Sequence, residues 1–530
     1  MDRQYDYLII GAGSAGCVLA NRLSANGQFS VLLLEAGGPD NNPNIHIPAA
    51  FSKLFNSKDE WGISSVPQPM MNNRELYQPR GKVLGGCSSI NAMIYIRGHR
   101  ADYDHWAALG NKGWSYKDVL PYFKRSEQQE IIHDEFHGQE GELTVTNQRS
   151  PNLLSTVLLE AAAEAGYTRL DDFNGAEQEG FGYFQVTQRN GQRCSAAKAF
   201  LRPALSRSNL TVEKYARVEK VLLENEQAIG IQYIQKGQRY EVKAKKEIVL
   251  SAGAFGSPQI LMLSGIGSAG ELKQHGINCL QDLPGVGKNL QDHLIGGVAT
   301  RTNYKRSLDS TERFPYIFSN LFNYFFRRRG PLTSIVAEVG GFLRTLPTLD
   351  APDLQFHFGP AFFIDHGFHK PPGNGYSFGP TLIQPKSRGV VSLGSADPMA
   401  NPVVDPQYFT RPEDIATMVR GYHITMKILE QPVFASYRQS LYLPEKPLTE
   451  DTDIADFFRQ WCQTLYHPVG TCKMGPDDMA VVDDQLRVHG IRGLRVADAS
   501  IMPSITRGNT NAPTIMIGEK AADLVLKGAQ

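Results

Sequence analysis

Three glycines near the start of the chain have the spacing needed to hold a phosphate-bearing nucleotide. In the stretch DYLIIGAGSAGCVLANRL, apolar residues 7–10 predict a strand, Gly11, Gly13 and Gly16 follow it, and a helix is predicted from about Ala15. The first glycine permits a tight turn, the second lets the backbone approach a pyrophosphate, and the third allows the helix to pack closely on the strand. The free amides at the helix N-terminus then bind the pyrophosphate.

An acidic residue at the end of the next predicted strand completes this pattern. The apolar residues 31–34 end in Glu35, at the distance downstream where a carboxylate accepts a ribose hydroxyl. A carboxylate also disfavours a 2'-phosphate, because the two charges would repel each other. We therefore predict a dinucleotide site rather than the glycine-rich turn of an ordinary α/β unit. The motif leaves open whether the dinucleotide is NAD or FAD.

Two further small-residue segments lie downstream of the first motif. Residues 79–106 concentrate small side chains with free amides and hydroxyls, namely Gly85, Gly86, Ser88, Ser89 and Asn91. Such a segment lets the backbone approach a flat ring or a phosphate, although a tight loop would have the same composition. The second segment, PGVGKNLQDH at residues 284–293, predicts another glycine-punctuated loop.

Periodicity places the remaining elements. Residues 247–253 predict a strand, and helical spacing begins at Pro258. Residues 301–461 lack a glycine fingerprint, contain many aromatics, and include a predicted strand in DLQFHFGP. A last helix is predicted from about Pro513, a favoured first-turn residue, with its free amides directed toward Asn509 and Asn511.

Composition narrows the function classes. The 530 residues carry 54 Lys plus Arg and 54 Asp plus Glu, so no overall basic field attracts nucleic acid. The first predicted strand begins too early to leave room for a secretory signal, and no apolar run of about 18 residues could span a bilayer. We expect a cytoplasmic protein, at most attached to the surface of the inner membrane.

Cysteines and histidines give no metal or disulfide pattern. The six cysteines are scattered without a CxxC motif, which predicts reduced thiols. The histidine pairs at 133/137 and 366/369 have no third ligand nearby in sequence, so we expect loop or solvated histidines and no metal site.

Six motifs in order carry a resemblance along essentially the whole chain. They are GAGSAGCVLANRL, GKVLGGCSSINAMIYIRG, GSPQILMLSGIG, PGVGKNLQDH, YHPVGTCKMG and VADASIMPSITRGNTNAPTIMIGEKAAD. The chain resembles the glucose-methanol-choline (GMC) family of flavin oxidoreductases, in particular its choline-dehydrogenase-like branch and, most closely, the FAD-dependent alcohol dehydrogenases of alkane pathways. The resemblance implies FAD as the dinucleotide. Some members tether FAD through a histidine where this chain has Ile90, so we expect noncovalent FAD.

The resemblance also implies the domain organisation. We expect an α/β protein, α+β overall, with a Rossmann-like FAD-binding domain interleaved with an antiparallel-sheet substrate-binding domain. Residues 1–147, 201–300 and 462–530 are assigned to the first domain, and residues 148–200 and 301–461 to the second.

The motifs and the resemblance together give a set of predicted cofactor-binding residues. These are Gly11, Gly13, Ser14, Ala15, Gly16, Glu35, Ala36, Trp61, Gly81, Val83, Gly85, Gly86, Ser89, Asn91, Ala92, Met93, Ile94, Val218, Ala252, Asp498, Ala499, Asn511, Pro513 and Thr514.

Oxidation of an alcohol requires removal of the hydroxyl proton and transfer of a hydride to flavin N5. His467, in LYHPVGTC, is the candidate base because histidine titrates near neutral pH, although a structural loop histidine is the alternative. Asn511 matches the second active-site position of the family, where an amide orients the substrate oxygen and stabilises a developing alkoxide.

Four residues align with substrate-facing positions of choline-oxidising relatives. Glu338 and His357 match positions that face the substrate there, and Trp61 and Tyr466 would supply an aromatic wall. Glu338 does not discriminate between choline and alkanols, since similar alkanol enzymes share a glutamate, and an internal hydrogen bond or salt bridge is its alternative role. Core or lid packing is the alternative for Trp61.

The expected reaction is oxidation of a primary aliphatic or aromatic alcohol to the aldehyde. Choline, a sugar or polyol such as sorbose, and a polyether alcohol are the competing substrates, and the electron acceptor is a quinone or oxygen, with a dehydrogenase favoured by the branch. Two alternative functions outside alcohol oxidation are a fatty-acid photodecarboxylase and a non-enzymatic flavin-binding protein. The presence of His467 and Asn511, which suit alcohol oxidation, argues against both.

Residues 321–332, LFNYFFRRRGPL, predict either peripheral contact with an anionic membrane or a buried aromatic helix with a solvated basic end.

Overall fold

The apolar N-terminal segment forms an inner strand in the parallel part of a mixed sheet in the computed structural model, which describes residues 3–528. Strand Gln4–Ile10 pairs in parallel with Val31–Glu35 on one side and with Gln238–Leu250 on the other. Its last four residues are buried, as expected for a strand covered on both faces. Helix Ser14–Ser24 follows it and packs against the C-terminal helix Asn511–Gly528.

This first sheet joins distant parts of the chain around the predicted dinucleotide site. The strand order is Leu210–Lys214, Val31–Glu35, Gln4–Ile10, Gln238–Leu250, Gln227–Gln235 and Ala216–Glu224, with Leu494–Val496 also beside Gln238–Leu250. The Rossmann-like arrangement predicted from the glycine motifs is confirmed. The predicted strands at residues 7–10 and 31–34 are confirmed as well, whereas the strand predicted at 247–253 ends at Leu250 and gives way to a helix at Gly253.

A second sheet is antiparallel and comes mainly from the middle of the chain. Its order is Arg438–Leu443, Val298–Thr302, Gly375–Leu382, Leu354–Gly359, Val339–Leu343 and Gly180–Tyr183, with Leu294–Ile295 and Gln463–Thr464 attached to it. The strand predicted in DLQFHFGP is its fourth member. Strand Val298–Thr302 spans the predicted boundary at 300, and strand Gln463–Thr464 lies just after the predicted boundary at 462. The division into two domains stays a prediction.

The helices lie around and between the two sheets. The α-helices are Ser14–Ser24, Pro43–His46, Arg100–Ala108, Tyr116–Ser126, Leu153–Glu164, Arg202–Ala204, Gly253–Leu263, Ala269–Gln274, Tyr316–Phe322, Pro412–Leu429, Asp451–Trp461 and Asn511–Gly528. Short 3-10 helices span Pro48–Leu54, Pro69–Met71, Gly86–Ser89, Leu308–Ser310, Pro331–Thr333, Asp365–Gly367, Pro432–Phe434 and Ala499–Ile501, and π-helices span Ala197–Leu201 and Asn323–Arg327.

Short strands form the remaining pairs. They are Glu127–Gln129, Leu143–Val145, Gln188–Arg189, Gln192–Arg193, Ile266–Gly267, Gln281–Asp282, Val390–Ser392 and Val403–Asp405.

Two helices begin earlier in the chain than predicted. The helix predicted from Pro258 begins at Gly253, because Gly253 has a positive φ of 79° that turns the chain directly after the strand. The Asp498 carboxylate accepts a hydrogen bond from the Gly253 amide at 2.9 Å, which caps this helix. The last helix begins at Asn511, about two residues before the predicted start.

The aromatic segment at 321–332 is not a buried helix. Helix Tyr316–Phe322 has no buried residue, and in the following turn only Tyr324 is buried. Between residues 3 and 528, none of the helices combines the length and the apolar character that crossing a membrane requires.

Candidate active site and cofactor cleft

One cavity connects the glycine turn of the first sheet with the predicted catalytic residues. Gly13 and Glu35 line it at the carboxyl ends of the parallel strands, and His357 and His467 line it from the second sheet. In open parallel sheets, ligands bind at the carboxyl ends of the strands. The two predicted sites are therefore two ends of one cleft.

The glycine turn has the shape that a pyrophosphate needs. A Cβ added to Gly16 would lie 1.9 Å from the Gly11 carbonyl oxygen, and Gly11, with φ of 99°, would place one 2.5 Å from the Ser251 carbonyl oxygen. A Cβ on Gly13 would instead meet only the Ser251 oxygen, at 3.8 Å, and Gly13 faces the cavity. Close packing thus explains why positions 11 and 16 are glycine. Gly13 instead leaves space for a ligand, so the residues present fit a dinucleotide.

Two buried carboxylates bracket the cleft. Glu35 accepts hydrogen bonds from the amides of Ala12 at 2.9 Å and Gly37 at 2.7 Å, which hold it at the end of its strand. Burial raises the pKa of Glu35 to about 7. Asp498 is also buried, with its pKa raised by that burial, and accepts a hydrogen bond from the Ser257 hydroxyl at 2.6 Å. The position of Glu35 suits a bond to a ribose hydroxyl.

Most of the predicted cofactor-binding residues face this cavity. The lining members are Gly11, Gly13, Ser14, Ala15, Glu35, Ala36, Trp61, Gly81, Gly86, Asn91, Ala92, Met93, Ile94, Val218, Ala252, Asp498, Ala499, Asn511 and Thr514. The remaining ones pack behind the wall, namely Gly16, Val83, Gly85, Ser89 and Pro513. Ser89, for example, is fully buried and donates to the Leu84 carbonyl oxygen at 2.7 Å.

The backbone around His467 is fixed by one buried carboxylate that the sequence argument had not singled out. Asp292 accepts hydrogen bonds from the amides of His467 at 2.8 Å and of His293 at 2.9 Å. The hydroxyls of Thr464 and Tyr408 donate to its other oxygen. Asp292 therefore holds two histidine-bearing segments side by side.

The two histidine rings contact each other directly. The Nδ1 atoms of His467 and His293 are 3.0 Å apart, with the ring planes nearly perpendicular. On its other side, His467 Nε2 lies 3.3 Å from the side-chain nitrogen of Asn509. An amide nitrogen only donates, so Nε2 carries the lone pair and Nδ1 carries the proton that His293 accepts. In this structure the Nε2 lone pair of His467 therefore accepts from the Asn509 amide, at the cavity wall that both residues line.

Burial keeps this histidine cluster neutral. It lowers the pKa of His293 and of His357 to about 3. The pKa of His467 is lowered well below its usual range, first by burial and then by its histidine neighbours. A neutral imidazole at pH 7 can accept a proton at Nε2.

Asn509 and Asn511 lie on either side of the start of the last helix but have different partners. Asn509, which contacts His467, accepts a hydrogen bond from Gln355 at 3.3 Å. Asn511 accepts one from the Ser14 hydroxyl at 2.8 Å, so its side-chain nitrogen remains available to the cavity. The motif NTNAP alone did not show which asparagine touches the histidine.

The predicted substrate residues do not all face the cavity. Glu338 is fully buried and accepts hydrogen bonds from the hydroxyls of Ser155 at 2.7 Å and Ser334 at 2.6 Å, and from the Asn152 amide at 2.6 Å. It is absent from the cavity lining. His357 does line the cavity, and the Thr381 hydroxyl lies 3.0 Å from its Nδ1.

The two residues predicted to form an aromatic wall both contact other side chains of the protein. Trp61 carries Lys82 and Arg217 over its ring, at 4.7 and 5.0 Å from the ring centre. The Tyr466 hydroxyl lies 2.7 Å from His366 Nδ1. Trp61 thus already holds two cations, which leaves it poorly placed to bind a substrate ammonium group.

His293, Asp292 and Asn509 are the site residues that sequence reasoning missed. The sequence signals for them were the last two residues of PGVGKNLQDH, which we interpreted only as part of a glycine loop, and the first asparagine of NTNAP.

The two histidine pairs considered as metal ligands do not belong to a metal-binding cluster. Among the described residues, no group of three or more His, Cys, Asp or Glu side chains is placed to hold a metal ion.

Comparisons with known proteins agree with this geometry. The chain matches the N-terminal and C-terminal GMC oxidoreductase models over residues 5–295 and 385–518. It is 48% identical to an alcohol dehydrogenase (acceptor) of Pseudomonas putida, over 99% of this chain and 96% of that protein. It is 42% identical to an oxygen-dependent choline dehydrogenase of Brucella suis, over 98% of this chain and 95% of that protein. Among solved structures it resembles formate oxidase of Aspergillus oryzae, studied for FAD modification, with TM-score 0.94, 28% identity, and coverage of 100% and 99%.

Proposed function

The chain belongs to the GMC oxidoreductase family, and on that premise we propose that it oxidises a primary aliphatic or aromatic alcohol to the aldehyde. It is an FAD-dependent enzyme that acts on alcohols. When bound, FAD supplies the acceptor for the hydride that leaves the alcohol carbon. The observation that carries the proposal is a neutral, buried His467 that lines the same cavity as the glycine turn.

We assign the base to His467. Its Nε2 takes the hydroxyl proton when the alcohol hydroxyl replaces the Asn509 amide at that lone pair, while His293 accepts the hydrogen bond from Nδ1. His293 fixes the tautomer and the orientation of the base and does not touch the substrate. Asp292 keeps both backbones in place, so the pair needs no rearrangement when the proton moves.

Asn511 is assigned to the substrate oxygen. The Ser14 hydroxyl holds its carbonyl oxygen, which directs the side-chain nitrogen into the cavity at the N-terminus of the last helix. A fixed N–H donor at a developing alkoxide stabilises negative charge where it forms. The helix N-terminus adds a favourable field at the same place.

The lining beyond His467 favours an apolar substrate. Its members include Phe51, Phe55, Ile335, Val336, Phe363, Ile364, Leu443 and Trp461. The carboxylate in this part of the lining is Asp365, which is exposed to solvent. The carboxylate of Glu338 already accepts internal hydrogen bonds from Ser155 and Ser334. This supports an alkyl or aryl alcohol over choline, whose quaternary ammonium calls for a facing carboxylate, and over a sugar, which calls for many polar partners.

Flavin bleaching tests the substrate class. Under anaerobic conditions we expect 1-octanol or benzyl alcohol to bleach the visible flavin bands of the purified enzyme much faster than choline or sorbose. Fast bleaching by choline or sorbose would assign the other substrate class, and bleaching by none of them would contradict alcohol oxidation. Admitting air afterwards separates acceptors, and we expect slow recovery, as for a dehydrogenase.

Removal of the Asn511 amide should lower the reduction rate of the flavin that the variant retains. For Asn511→Ala we expect flavin reduction by the best alcohol to slow by about 100-fold, since one lost oxyanion donor typically costs that much. The measurement is the anaerobic reduction rate at saturating alcohol. Asn509→Ala is the matched comparison, because it removes the contact with His467 and leaves the donor. Reduction of Asn511→Ala at the wild-type rate would refute the assignment.

The flavin is expected to be released by acid. Ile90 occupies the position of the covalent tether of some relatives, and it packs in an apolar cluster with Ile45, Leu54 and Val83. No nucleophile at that position can bond the ring. After acid precipitation we expect the yellow colour in the supernatant, and colour that stays with the protein pellet would contradict noncovalent binding.

A further inference from the structure

A row of phenylalanines stands exposed on the segment 314–326. Phe314, Phe318, Phe322, Phe325 and Phe326 have 81%, 67%, 52%, 55% and 77% of their surface accessible. Single exposed apolar side chains are ordinary, but five phenylalanines within one short segment form a continuous patch. We call these five residues the phenylalanine ridge.

Three members of the ridge follow helical spacing. Phe318, Phe322 and Phe326 recur every fourth residue along helix Tyr316–Phe322 and the π-helix Asn323–Arg327, which places them near one side of that rod, and Phe314 lies in the turn before the helix. Their rings touch in pairs, with centres 6.2 Å apart for Phe314 and Phe318 and 4.9 Å apart for Phe322 and Phe326. The helix buries none of its residues, so its apolar side lacks a partner within the described chain.

Positive charge surrounds the ridge. Residues 305–330 contain six basic side chains, Lys305, Arg306, Arg313, Arg327, Arg328 and Arg329, and two acidic ones. Both acids are occupied: Asp309 accepts from the amides of Phe362 and Gly375, and Glu312 pairs with Lys53. In the part of the chain that the structure describes, no ion pair involves Arg313 or Arg327–Arg329. The field beside the ridge is therefore net positive.

The ridge adjoins the substrate end of the cleft. Buried Tyr324 donates its hydroxyl to the His46 carbonyl oxygen at 3.2 Å, and Glu312 pairs with Lys53. These contacts tie the segment to both ends of the turn Pro48–Leu54, whose Phe51 lines the cavity.

We propose that the phenylalanine ridge docks this protein on an anionic lipid bilayer, with its rings at the acyl boundary and its arginines on lipid phosphates. An amphipathic helix with aromatic side chains and flanking arginines has the composition of an interfacial anchor. Each basic side chain near an anionic surface strengthens such binding. The docked face would present the substrate end of the cleft to alcohols dissolved in the bilayer.

Charge argues against a second copy of this chain as the occupant. A two-fold contact places the same surface on both partners, so the ridge would meet the ridge. The arginines of one copy would then approach those of the other with no acidic side chain free on either. An anionic lipid surface supplies the missing negative charge.

Vesicle sedimentation of the FAD-loaded enzyme tests the proposal. With vesicles of phosphatidylcholine and phosphatidylglycerol at about 7:3 and low salt, we expect the wild type to sediment, and to sediment less with phosphatidylcholine alone or at high salt. We expect Phe318→Ser/Phe326→Ser to bind about tenfold more weakly, through lost insertion. Arg327→Gln/Arg329→Gln should lose mainly the phosphatidylglycerol dependence.

A control variant separates docking from a general loss of apolar surface. Ile131→Ser/Leu280→Ser removes side chains that are 51% and 58% exposed outside the ridge, and it should bind like the wild type. Turnover of a water-soluble alcohol should be unchanged in all variants, which keeps this test independent of the catalytic proposal. Wild type that stays in the supernatant, or a ridge variant that sediments equally, would overturn docking. A ridge variant that elutes as a smaller species than the wild type would assign the surface to self-association instead.

Discussion

His467→Ala is expected to retain FAD and lose alcohol oxidation. The ring accepts the hydroxyl proton at Nε2, and its hydrogen-bond partners in this structure are the His293 and Asn509 side chains. A positioned general base contributes about 10²- to 10⁴-fold to the rate, so we expect flavin reduction to slow by that factor. The measurement is the anaerobic reduction rate with the best alcohol, alongside the flavin-to-protein ratio.

The pH profile and a second histidine variant complete this test. Because burial lowers the pKa of His467, the base is present above that low pKa and is lost only as pH falls through it. Wild-type reduction should therefore stay level between about pH 8 and pH 6. His369→Ala is the matched control, since His369 bonds only the Tyr442 hydroxyl and lies outside the cavity lining. An undiminished rate in His467→Ala would exclude this base, and a steep fall of the wild-type rate near pH 7 would contradict the lowered pKa of His467.

Gly13→Val is expected to fold and to lose affinity for FAD. Gly13 has φ of −78°, which any residue adopts, and a Cβ there would meet protein only at 3.8 Å. The valine methyl groups would then occupy the space beside the helix N-terminus that a pyrophosphate needs. Overpacking of this kind costs about 1–3 kcal/mol, equivalent to roughly 5- to 150-fold in Kd. The measurement is a titration of the apoprotein with FAD.

Gly16→Ala distinguishes cofactor contact from folding. Its new Cβ would lie 1.9 Å from the Gly11 carbonyl oxygen, so we expect a lower thermal midpoint of the apoprotein itself. Gly13→Val should leave that midpoint near the wild-type value. Wild-type affinity for FAD in Gly13→Val would show that the pyrophosphate lies elsewhere.

The first sheet was predictable because its signals are local. An apolar run buried on both faces, a glycine that needs positive φ and a helix that starts directly after it are properties of neighbouring residues. Strand Val31–Glu35 and helix Ser14–Ser24 lie within a residue of the predicted positions, and strand Gln4–Ile10 begins three residues before its predicted start. Helix Gly253–Leu263 began earlier than predicted because the carboxylate that caps it, Asp498, comes from far downstream.

Non-local contacts also explain why the role of Glu338 could not be predicted from the sequence. The residue type suits an ammonium ligand, but three donors from two separate segments satisfy its carboxylate before a substrate arrives. The exposed ridge is a second case. Its composition also fitted a buried helix, and only the absence of buried residues along helix Tyr316–Phe322 ruled that helix out.

The sequence by itself determined the family, the dinucleotide turn and the histidine that we assign as base, because each depends on residue types at fixed spacing. The tertiary structure decided which groups surround that histidine. Asp292 and His293 lie about 170 residues before His467, and Asn509 lies 42 residues after it. Their hydrogen bonds arise only where the two sheets meet, since contacts at such separation depend on the packing of whole elements and leave no periodic trace in the chain.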